Sequence, residues 1–133
     1  MIFRRSVPDL IVEEIRDQEE VTQRVCRGRD AVPEINAPRP RDMGRVSVIR
    51  GRVTPSEAYD VVRKGGTPGP DDGARYTTVA ALRRAGFVVT HSPNPRNPDH
   101  VSVSYPGDWG SDVALLFKSC FAETLWKGDA EDD

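Results

Sequence analysis

The sequence predicts an α+β fold: a small antiparallel sheet of two or three strands packed by three or four helices, in the order α-β-α-α-β-β-α. Three observations predict it. Residues 53–66, VTPSEAYDVVRKGG, carry a full set of helix start and stop signals. Residues 87–91 and 100–105, FVVTH and HVSVSY, are two short β-branched runs around a proline-rich loop, the pattern of an antiparallel hairpin. Residues 112–126 place Val113, Leu116, Phe117, Cys120 and Phe121 on a helical period, with Leu125 nearby, the best amphipathic segment of the chain.

Taken in order, Pro8–Arg27 reads as a helix. Ser6 caps it, Pro8 suits a first turn, and Asp9 suits the positive helix end. Leu10, Ile11, Ile15, Val21 and Val25 form a loose stripe, although DLIVEEI reads equally as extended chain. Residues 28–45 hold Gly28, Pro33, Pro38, Pro40 and Gly44 and form a loop of the length that is usually functional or mobile. RVSVIR at 45–50 alternates as a half-buried strand. In 53–66, Thr54 caps, Pro55 takes the first helical position and Glu57 completes a capping box. Ala58, Val61 and Val62 form its buried stripe, and Gly65 and Gly66 end it. TPGPDDGA is a turn-rich loop, and YTTVAALRRAGF at 76–87 is a second short helix capped by Thr77 or Thr78 and stopped by Gly86. The last helix runs from Asp112 to Trp126 behind a Ser111 cap. Residues 1–128 then form one domain, and 129–133 an acidic disordered tail.

The chain of 133 residues fits a single domain that buries roughly two-thirds of its unfolded surface. No apolar run approaches the ~20 residues a membrane helix needs, and MIFRRSVPDL lacks an apolar signal core, so a cytoplasmic protein without membrane contact is expected. Cys26 and Cys120 make no metal pattern and no secreted disulfide framework. The formal charge of −2 gives no global attraction for nucleic acid. Sixteen of the 19 basic residues are arginines, and five of them lie between Arg39 and Arg52.

Catalytic signals are sparse. No Gly-rich phosphate loop, metal-ligand spacing or Ser/His/Asp set is legible, so no cofactor and no metal are expected. The loop THSPNPRNPDH is stiffened by Pro93, Pro95 and Pro98, and a stiff tip loses little entropy on binding. Trp109 in PGDWG and Trp126 either close the core or anchor a partner, since tryptophan and arginine dominate interface hot spots. These residues point first to a non-enzymatic binding module for a protein partner or a second copy of itself. Pro95, Arg96, Trp109, Phe121 and Trp126 are its expected contacts.

Two resemblances give alternatives. TTVAALRRAGFVVTHSPNPRNPDHVSVSY resembles the middle of winged helix-turn-helix domains of the MarR type, with a helix, a strand, a polar wing and a second strand. The resemblance implies DNA binding, with Thr77, Thr78, Arg83 and Arg84 facing the duplex and Arg96 at the wing tip. LRRAGFVV followed by a histidine is similar to HicA-type messenger-RNA interferases, and implies a small ribonuclease toxin using His100 as general acid or base. His91 would oppose His100 across the hairpin.

Overall fold

The computed structural model describes residues 11–27, 36–39, 42–63 and 66–130. Its elements run β1 (Glu20–Cys26), β2 (Arg45–Arg50), α1 (Pro55–Arg63), β3 (Asp72–Thr78), α2 (Val79–Arg84), β4 (Val88–His91), β5 (His100–Ser104), α3 (Ser111–Ser119), β6 (Glu123–Trp126) and α4 (Lys127–Ala130). The strands form one six-stranded sheet in the order β4-β5-β2-β1-β3-β6, with every pairing antiparallel. The mixed α+β character holds, but a sheet of two or three strands does not. Nor does the winged-helix-like middle: β3 lies between α1 and α2, so the two helices do not meet across a turn.

Each discrepancy has a local cause. Residues 20–26, expected in a helix, form β1 near the centre of the sheet. Val21 and Val25 are four apart, a spacing that fits the helical period and also the strand period of two. Residues 72–78, expected to be a loop and a helix start, form β3. Its residues from Gly73 to Thr77 are all buried, so the alternation that announces a half-wet strand is missing. Thr78 then caps α2 by accepting from Ala81 N at 3.1 Å. The last helix stops at Ser119, and Glu123–Trp126 pairs with β3 as an edge strand. The expected amino-terminal caps Ser6, Pro8 and Asp9, most of loop 28–45, and tail residues 131–133 lie outside the described residues. Asp129, assigned to that tail, sits in α4 and pairs with Arg27 at 2.9 Å.

Register divides the sheet into two faces, because directly paired residues project to the same side. Val21, Val46, Val48, Val89, Val101 and Val103 share one face with Arg75 and His91. That face is covered by Val79 and Leu82 of α2, by Val113 and Phe117 of α3, and by Phe87. Phe87, Trp109, Phe117 and Phe121 form an aromatic cluster with ring centroids 5.1–5.6 Å apart. Gly86 makes the turn from α2 into this cluster possible with a left-handed φ of 101°. Arg75 is buried here, donating to Gln23 and Asn36 with its guanidinium 4.5 Å from the Phe121 ring.

Among the described residues the opposite face is covered only in part. α1 has its capping box, Thr54 N–H donating to Glu57 at 2.8 Å and Glu57 N–H to Thr54 at 3.1 Å. It docks through buried Ala58 onto Ile49, Ala74 and Tyr76. Val61 and Val62, expected in its buried stripe, are instead 36% and 49% exposed. The rest of this face, on β2 and β5, carries Ser47, His100 and Ser102. Among the described residues no helix is long and apolar enough to cross a membrane.

Candidate functional site

The uncovered face holds a cleft of about 540 Å³. It forms where the sheet is least continuous. β1 and β2 pair at only two positions, Val21 with Arg50 and Thr22 with Ile49. Arg24, Ser47, Val48 and Ile49 line the cleft around this short seam, Val61 and Val62 of α1 form one wall, and loop residues 94–97 form another.

The loop wall is rigid for identifiable reasons. Asn94 and Asn97 exchange backbone hydrogen bonds of 3.1 and 3.0 Å. The Asn94 side chain accepts from the backbone N–H of Arg96 and Asn97, and the Asn97 side chain accepts from Asp99 N–H. These are the local turns that asparagine makes readily, and Pro93, Pro95 and Pro98 restrict what remains. Pro95 and Arg96 therefore stand exposed at a fixed tip beside the cleft.

His100 forms part of the cleft lining between two serines. Its Nδ1 lies 3.1 Å from the Ser92 carbonyl and 2.8 Å from Ser92 Oγ. A carbonyl can only accept, so Nδ1 carries the proton. Nε2 then accepts from the Ser47 hydroxyl at 2.9 Å. Ser92 Oγ continues the chain to Ser102 Oγ at 2.7 Å. Burial pushes the His100 pKa below its ordinary value, reinforced by the Arg45 charge and opposed by the Ser92 carbonyl. The imidazole at the cleft is thus a neutral acceptor near pH 7.

The structure separates the two histidines. His91 pairs in register with Val101, which places it on the covered face, away from His100. There its Nδ1 accepts from Glu13 N–H at 2.9 Å and its Nε2 donates to the Pro98 carbonyl at 2.8 Å. A ribonuclease pair across the hairpin does not form. His100 remains the cleft's only histidine.

The expected nucleic-acid contacts are also dispersed. Thr77 is buried and donates to the Cys120 carbonyl at 2.6 Å, and Thr78 is the cap of α2. Arg83 pairs with Asp17 at 2.7 Å, Arg84 is exposed on the same helix, and Arg96 lines the cleft on the other face. Of the expected partner contacts, Pro95 and Arg96 come together at the cleft. Trp109 packs on Phe87 and Phe117 and donates to the Asn36 carbonyl at 2.8 Å. Phe121 stacks on Phe117, and Trp126 lies over Gly73 with the Arg27 guanidinium 4.6 Å from its ring. These three aromatics are engaged within the fold.

Ser47, Ser92, Arg24, Val61 and Val62 were not legible as site residues. The alternation of VSVIR places Ser47 on a wet face, but only the β2–β5 register brings it to His100, 53 positions away. Cys26 and Cys120 are free thiols, and burial raises the Cys120 pKa, away from nucleophilic use. Comparison with protein-family models, with curated proteins and with solved structures finds no match for the chain.

Proposed function

We propose that the protein is a binding module that takes an extended segment of a protein partner into the cleft between α1 and loop 92–99. One observation carries this reading. Two valines of α1 stay uncovered directly above a preformed cleft whose other wall is a rigid Pro95–Arg96 tip. Exposed apolar side chains beside a shaped concavity are the usual mark of a docking surface. A pre-ordered loop lowers the entropy lost on association. The winged-helix alternative has no paired helices to enter a groove, and its expected contacts face different sides of the sheet.

A peptide library selected on the native protein, with counter-selection on Val62→Asp, tests the reading. The expected result is a family of peptides that shifts the backbone amide resonances of residues 47–49, 61–62 and 94–100. Enrichment of peptides that bind native protein and Val62→Asp equally would reject the cleft as the docking surface.

A further inference from the structure

Resting on that reading, we infer that the segment entering the cleft is acidic: a carboxylate-bearing stretch with at least one aliphatic side chain. The cleft is lined by Arg24, Arg39, Arg96 and His100, and no aspartate or glutamate lines it among the described residues. Two of the arginines are positioned by carboxylates outside the lining, Arg24 by Asp72 at 2.7 Å and Arg39 by Asp42 at 3.0 Å. Those pairs orient the guanidinium groups and leave part of each free to donate. Arg24 Nε is buried with no hydrogen-bond acceptor among the described residues. A buried donor without an acceptor is costly. Arg96 makes no ion pair among the described residues and stands at the exposed tip. Ile49, Val61 and Val62 add an aliphatic part to the same lining. A lining that joins arginines to aliphatic side chains selects a ligand with both chemistries, because a neutral peptide leaves the arginines unused and a bare anion leaves the valines exposed.

Nucleic acid offers the anion without the aliphatic side chain. Among the described residues the cleft lining contains no aromatic side chain on which a base could stack, and single-strand binders combine a basic groove with such stacking, worth about 1–3 kcal/mol per base. The observations therefore favour peptide.

The test is a titration of isotopically labelled protein, followed by amide resonances, with three probes. These are a synthetic peptide of alternating glutamate and leucine, the same peptide with glutamine for glutamate, and oligouridine RNA. The glutamate peptide is expected to shift Ser47, Val62, Arg96 and His100. The glutamine peptide is expected to bind about tenfold more weakly, as charge-assisted hydrogen bonds are roughly twice as strong as neutral ones. Arg96→Glu, whose loop is held by backbone and asparagine contacts, is expected to reproduce that loss with the glutamate peptide. Equal binding of both peptides, unchanged in Arg96→Glu, would overturn the acidic assignment and leave docking in the cleft intact. Failure of both peptides would also overturn it, while the library selection decides docking independently. Displacement of the glutamate peptide by oligouridine at the same resonances would reassign the cleft to nucleic acid.

Discussion

The two faces of the sheet are built from the same six strands and serve different ends. On one face, valines from β1, β2, β4 and β5 meet α2, α3 and an aromatic cluster, and Val21, Val101, Val103, Leu82 and Phe117 are fully buried. On the other, serine and histidine side chains alternate with those valines, and a single helix covers only Ile49, Ala74 and Tyr76. Strand alternation makes this division unavoidable: each inward valine on β5 forces its neighbour outward. The covered face holds most of the apolar burial that stabilises the fold. The open face keeps polar groups, uncovered valines and a cleft, which contribute little to stability and are available for binding.

The comparison breaks most severely at Phe117. Its ring is fully buried and contacts Phe87, Trp109 and Phe121 at centroid distances of 5.1–5.6 Å. Phe117→Ala leaves a cavity in the covered face and is expected to cost about 3–5 kcal/mol. Denaturant unfolding measures it directly. A loss within about 0.5 kcal/mol, the range of surface substitutions, would mean that α3 is not a stabilising lid and would undo the contrast between the faces.

A second effect, smaller and confined to a pH window, comes from the open face. His100 is neutral in its serine cradle, with its pKa held below the ordinary 6.5 chiefly by burial. The unfolded chain therefore binds a proton more readily than the folded one. This stability is complete above about pH 6.5 and is lost as pH falls through the folded pKa. The carboxylate of Glu19, lowered mainly by its hydrogen bond from Arg50, acts in a separate, more acidic window below its ordinary 4.5. His100→Gln is expected to flatten the pH dependence of the unfolding midpoint as pH falls below about 6.5. An unchanged slope in the variant would mean that His100 is solvated like a free imidazole and that the Ser47–His100–Ser92 chain does not persist in solution.

What could be seen in the sequence follows from the range of each signal. The capping box of α1 and the alternation of β4 and β5 are written within a few residues, and both are found in the structure. β1 was hidden because Val21 and Val25 satisfy two periods at once. β3 was hidden because a strand buried on both sides has no alternation, and because Arg75 in its middle looks like a surface residue until Gln23, Asn36 and Phe121 surround it. β6 was absorbed into a helix because Phe117, Phe121 and Leu125 continue a spacing of four. With three strands missed, the sheet order could not be drawn. The cleft depends on that order, since it lies at the seam of β1 and β2 and joins Arg24, Ser47, Val62 and Arg96 from four separate segments. The hairpin loop was legible as a stiff tip. The surface it stands beside was not.

The smallest stability effect is the most informative about the open face. Val62 projects from α1 with half of its surface in water and is absent from both buried clusters. Much of the apolar surface that Val62→Ser removes is not buried by folding, and serine and valine have similar helix propensities. The expected change in unfolding free energy is within about 0.5 kcal/mol. If Val62 is a docking contact, the same substitution removes apolar area that binding would bury and weakens the selected peptides by about three- to tenfold, because burying a valine fully is worth about 1.5–3 kcal/mol and half of this one is still exposed. Stability and binding thus separate at this residue, whereas Phe117→Ala acts first on stability. A Val62→Ser protein as stable as the native one and equally able to bind would remove α1 from the docking surface and leave loop 92–99 as the remaining wall to test.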